Sequence, residues 1–69
     1  MDIVVYLTRH AEEKRISLGI SLGEIKETLL KGSKTKQTDG LLAQYRYLKV
    51  AYNMMGERTY KIKTIFMER

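Results

Sequence analysis

The stretch "TRHAEEKRISLGISLGEIKETLLKG", residues 8–32, decides the fold, because it marks the ends of two helices. Thr8 can cap a helix over 9–18, its hydroxyl accepting one of the backbone N–H groups that a first turn leaves unpaired. Gly19 then ends that helix, since glycine adopts the left-handed conformation at little steric cost. Ser21 and Glu24 stand three apart as a capping box, the serine accepting from the backbone of Glu24 and the glutamate reaching back. Ile20 before that cap and Ile25 inside the helix supply the hydrophobic staple. A second helix is expected over 22–31, stopping at Gly32.

Outside this stretch the period changes from helical to alternating. Residues 3–7 (IVVYL) are β-branched and aromatic and predict a short buried strand. Residues 33–38 (SKTKQT) predict a polar edge strand that turns at Asp39-Gly40, a strong hairpin dipeptide. Residues 42–54 predict one long strand, with Leu48, Val50, Tyr52 and Met54 on one face. Its other face would carry Tyr45, Tyr47, Lys49, Ala51 and Asn53. After a turn at Met55-Gly56-Glu57, residues 58–67 alternate again. Tyr60, Ile62 and Phe66 would point one way, and Lys61, Lys63, Ile65 and Met67 the other. The expectation is a single α+β domain over 1–69, in the order β-α-α-β-β-β. Two short helices would cover one face of a small, mainly antiparallel sheet. The uncovered face would present Tyr45, Tyr47, Lys49, Lys61 and Lys63.

Composition narrows the function classes. A chain of 69 residues has a small core, and one this short buries only about 60% of its unfolded surface. There is no cysteine and one histidine, which argues against disulfides, thiolate zinc and an all-protein transition-metal site. No cofactor motif, P-loop, Gly-x-Ser-x-Gly elbow or helix-turn-helix pattern occurs. The opening MDIVVYL lacks the basic region of a signal peptide, and no apolar run approaches the about 20 residues that span a bilayer. A cytoplasmic location is the default expectation. The net charge is +5, and it is unevenly placed. Residues 1–32 carry five basic and five acidic side chains; residues 33–69 carry eight basic and three acidic. The excess in the second half suits a polyanion or an acidic protein, or else a solvated lysine face.

Three constellations carry candidate chemistry. His10 lies at the start of the first helix with Lys14 one turn on and Arg15 beside it. The helix dipole and Lys14 both favour a neutral imidazole, which can serve as a general base. A capping or packing histidine is the structural alternative. Lys14 falls within the apolar stripe of Leu7, Ala11 and Leu18, either snorkelling to water or bordering a phosphate-holding cleft. On the sheet, Tyr45 and Tyr47 interleaved with Arg46, Lys49, Arg58, Lys61 and Lys63 have the ingredients for stacking bases and neutralising phosphates. The same tyrosines would equally serve cross-strand packing or a homodimer contact.

"HAEEKRISLGIS", with "EIKETLLKG" and the closing "TYKIKTIF", resembles an uncharacterised prokaryotic family of small domains. That family opens on His-Ala, has a basic residue four on and Gly-Ile-Ser nine on; His10, Ala11, Lys14, Gly19, Ile20 and Ser21 fall at those places. This chain departs in having Lys14 for the usual arginine and Leu18 where an arginine commonly precedes the glycine, with Arg15 nearby. The family is similar in element order to the RelE, ParE and BrnT toxins of toxin–antitoxin modules. The resemblance implies a RelE-like fold and an RNA target, with ribosome-bound messenger RNA among the candidates, or an acidic antitoxin partner. It also implies metal-independent, cofactor-free endoribonuclease chemistry. His10 would then be the base for attack by a 2′-hydroxyl on the adjacent phosphate. Lys14 with Arg46 or Arg58 would stabilise phosphate charge, and Tyr47 would stack a base or assist proton transfer. Arg15, Tyr45, Lys49, Lys61 and Lys63 would bind the nucleic acid. The alternative expectation is a non-catalytic module that binds nucleic acid or protein through the basic sheet face.

Overall fold

The computed structural model describes residues 3–68, so residues 1, 2 and 69 of the expected domain lie outside the described residues. The elements run β1 (Val4–Leu7), α1 (Arg9–Leu18), α2 (Leu22–Lys31), β2 (Ser33–Gln37), β3 (Gly40–Tyr45), β4 (Leu48–Gly56) and β5 (Thr59–Met67). The molecule is α+β, with both helices where the capping signals put them. Thr8 accepts from the Ala11 N–H at 3.1 Å and caps α1. Gly19, at φ 71°, donates to the Ile16 carbonyl, while Ile20 donates to that of Arg15 at 3.0 Å. These two bonds satisfy carbonyls that the helix end would otherwise leave unpaired. Both arms of the Ser21–Glu24 box form, each at 3.1 Å. Ile20 and Ile25, the staple pair, are buried.

The sheet has five strands in the order β1-β5-β4-β3-β2. β1 runs parallel to β5 and every other neighbour is antiparallel. α1 packs on β5 and β1, and α2 on β3 and β4. Between helices and sheet lies one core that includes Ala11, Ile25, Leu29, Val50, Tyr52, Ile62 and Ile65. Burying a side chain such as Leu29 or Ile62 contributes roughly 1.5–3 kcal/mol. No helix among the described residues is long and apolar enough to cross a membrane.

Four expectations are corrected. The long strand over 42–54 is two strands, β3 and β4, joined by a turn at Arg46 and Tyr47, so the order is β-α-α-β-β-β-β. Arg46 takes φ 58° there, a left-handed conformation that its residue type does not announce. The other two hairpins turn one residue or more from the expected places, at Thr38-Asp39 and at Glu57-Arg58. The first strand is not buried: β1 is an edge strand, with Val4 and Tyr6 exposed and only Val5 and Leu7 turned to the core. Finally, the faces of β5 change phase along its length. Ala51 pairs with Thr64 and Tyr52 with Ile62, leaving Lys63 as the extra residue of a β-bulge. Tyr60, Ile62, Ile65 and Met67 therefore share the helix-covered face, and Phe66 turns outward.

Candidate functional site

The end of β1 and the start of α1 are tied to the bulge in β5. The Thr8 N–H donates to the Ile62 carbonyl at 3.2 Å, and the Thr8 hydroxyl donates to the Lys63 carbonyl at 3.2 Å. Two residues on, His10 Nε2 lies 3.1 Å from Thr64 Oγ1. The ring is exposed, so it is a surface imidazole with one hydroxyl partner. Lys14 is half-buried and enters no ion pair among the described residues. Arg15 is committed locally: it donates to Glu12 at 2.6 Å and to the Ile20 carbonyl at 3.1 Å. It braces the turn between the helices.

His10 and Lys14 stand on α1, and the residues expected to join them, Arg46 or Arg58 with Tyr47, lie in the turns at the two ends of β4. Arg46 and Tyr47 occupy the turn before β4, and Arg58 the turn after it. The nine residues of β4 separate them, roughly 25–30 Å of extended chain. His10, at Thr64, sits beside the middle of the sheet, away from both turns. Arg46 instead stacks on its neighbour, its guanidinium carbon 5.3 Å from the centre of the Tyr45 ring. Tyr45 pairs with buried Leu48 and so lies on the helix side, not the open one. There it lines a shallow groove of about 50 Å³ with Arg46, Tyr47, Thr28, Glu24 and Glu27. Two acidic residues beside one arginine make the groove a poor seat for phosphate.

The uncovered face is built differently from the expected one. Of the five residues assigned to it, Tyr45 is under α2 and Tyr47 is in a turn. Lys49, Lys61 and Lys63 remain. Lys49 forms an ion pair with Glu68. Lys63 crosses to the β2–β3 turn, where it meets the Asp39 carbonyl and, at 3.5 Å, its carboxylate. Lys61 is exposed and in no ion pair among the described residues. Around these lysines stand large apolar side chains that the strand pattern did not single out: Val4, Tyr6, Met55 and Phe66, each 46–60% exposed.

The ladder sets aromatic rings and lysines side by side on this face. Tyr6 is the direct partner of Lys61, and Phe66 of Lys49. Directly opposed side chains in a ladder are within contact reach. Lys61 and Phe66 are five positions apart on β5, so the two pairs are separated by roughly 15 Å. Beside Tyr6 a hollow of about 270 Å³ opens between Leu7, Thr8, Met55 and Lys61. Among the described residues no group of three or more histidines, aspartates and glutamates is arranged to hold a metal ion.

One signal in the sequence points to this face, and one occupant of it has none. The alternation Val4-Val5-Tyr6-Leu7 makes one side of β1 apolar and outward once β1 is an edge. Phe66 emerges only with the bulge, which a strict period of two does not contain. Comparison with known proteins returns no matching family model, no matching curated protein and no matching solved structure.

Proposed function

We propose that this domain is a non-catalytic module that binds single-stranded RNA on the uncovered face of its sheet. The observation that carries the reading is the pairing of two exposed rings with two lysines, Tyr6 with Lys61 and Phe66 with Lys49. Aromatic side chains stack bases without sequence preference, at about 1–3 kcal/mol per base, and adjacent cations neutralise the backbone. The net charge of +5 favours a polyanion over a neutral partner. The resemblance to small RelE-like domains points the same way, towards RNA.

The test is fluorescence anisotropy of a labelled single-stranded RNA of about 12 nucleotides. With Lys61 on one phosphate and Lys49 exchanging its exposed partner Glu68 for another, log affinity should fall against log salt with a slope of about −1.4. Tyr6→Ala and Phe66→Ala should each weaken binding by about tenfold or more. Binding that ignores both substitutions overturns the reading, and a salt-insensitive complex with an acidic protein would replace it with a protein-binding module.

The second reading is a metal-independent endoribonuclease, favoured by the contact between His10 and Thr64 at the border of the same face. Lys14 and Lys61 would then have to serve the phosphate in place of Arg46 and Arg58. Cleavage of messenger RNA, with or without translating ribosomes, that disappears in His10→Ala would support it. Intact RNA in both cases leaves the binding module.

A further inference from the structure

We infer that the hollow between Tyr6, Met55 and Lys61 is a base-anchoring subsite, taking one nucleotide with its base against the Tyr6 ring and its phosphate on Lys61. The inference rests on the single-strand-binding reading and names the point on the face where a strand is held most firmly. Three features set the hollow apart from the flat remainder of the sheet. The first is its form: about 270 Å³ of space, walled by apolar atoms of Tyr6, Leu7 and Met55, which suits one planar ring system. The second is how Met55 comes to be there. In the β4–β5 ladder Met54 pairs with Tyr60 and Gly56 with Thr59, so Met55 is the unpaired residue of a second bulge. Alternation along β4 puts Met55 on the side of Asn53 and Lys61, and the bulge leaves it without a cross-strand partner there, 60% exposed at the hollow. A thioether at that place can pack on a ring, a contact of sulfur with an aromatic system.

The third feature is charge. Lys61 stands at the hollow and is in no ion pair among the described residues, whereas Lys49 and Lys63 on the same sheet are engaged by Glu68 and Asp39. The Thr8 hydroxyl is already engaged with Ala11 and Lys63, which leaves the ammonium and the tyrosine hydroxyl as the polar groups open to a guest. An aromatic wall, a polarizable thioether and one uncommitted cation together match a base joined to a phosphate. An apolar side chain of a partner protein would leave the cation unanswered. Phe66, roughly 15 Å away along β5, would then stack a later base of the same strand.

The experiment labels the full chain with methyl-13C methionine and titrates it with oligoadenylate. Met55→Leu assigns the signal. Stacking should move the Met55 methyl upfield by ring current while the Met67 methyl, packed against the core, stays in place. Lys61→Gln should weaken binding and reduce the salt slope by about 0.7. Tyr6→Leu should cost about tenfold in affinity. Oligoadenylate that binds with a stationary Met55 methyl, through Phe66 alone, overturns the subsite and leaves the open-face reading intact. Absence of any binding overturns both. A Met55 shift and an affinity that both persist unchanged in Lys61→Gln overturn the placing of the phosphate on Lys61, and a Met55 shift that appears on raising protein concentration without RNA overturns the nucleotide in favour of a second copy of the chain.

Discussion

A Cβ atom on Gly32 would stand 2.5 Å from the Thr28 carbonyl oxygen and 2.6 Å from that of Gln44. Its φ of −75° is open to any residue, so glycine is needed here for the close approach of α2's last turn to β3, not for backbone freedom. Tyr52 is another residue whose surroundings change its chemistry. Burial, and then the phenol of Tyr60 with ring centres 5.3 Å apart, push its hydroxyl above the ordinary 10.0. In the unfolded chain the same phenol ionises near its ordinary value. Above about pH 10 the unfolded state has therefore released a proton that the folded state still holds, and stability falls as pH rises. Below that pH the contribution is fully present. Urea midpoints measured from about pH 9 to 11 should fall less steeply for Tyr52→Phe than for the parent chain. An equal slope would assign the alkaline loss to other groups.

Among the elements, the helices were legible to the residue and the β2–β3 hairpin to within one, from Asp39-Gly40, while the other two hairpins were less so, for a physical reason. A helix end leaves backbone groups unpaired, and only a few side chains can satisfy them, so Thr8, Gly19, Ser21 and Glu24 announce the boundaries. A hairpin announces itself only when a residue such as glycine or asparagine takes the left-handed position. At the β3–β4 and β4–β5 turns arginines do so, Arg46 at φ 58° and Arg58 at φ 59°. Turn and strand then read as continuous alternation, which is why β3 and β4 merged into one expected strand. A left-handed L-residue costs roughly 1 kcal/mol, and glycine gives back part of that through its greater freedom in the unfolded chain. Arg58→Gly should accordingly raise stability by about 0.5–1 kcal/mol, read as an upward shift in Tm. A downward shift would mean that the arginine side chain contributes more than its backbone costs. Arg46 is the poorer test, since glycine there would also remove the stack on Tyr45.

At the scale of the whole molecule, two helices on one side of five strands leave the other side bare, and that asymmetry separates residues that hold the fold from residues free to bind. The open face itself was legible, because two short amphipathic helices can cover only one side of a sheet. Its occupants were not: the turn at Arg46 and the bulge at Lys63 removed Tyr45 and Tyr47 from it and put Phe66 on it. A domain of this length has a total stability of roughly 3–10 kcal/mol. Ile25→Ala removes a fully buried side chain and should cost about 2–4 kcal/mol, a large share of that total. Tyr6→Ser and Phe66→Thr act on side chains 55% and 46% exposed, and each should cost less than about 1 kcal/mol. Urea denaturation of the three variants tests the division. If the face substitutions unfold the chain as readily as Ile25→Ala does, Tyr6 and Phe66 belong to its stability. If they leave the midpoint nearly unchanged while each weakens RNA binding by about tenfold or more, stability has no need of two large rings facing solvent, and recognition accounts for them.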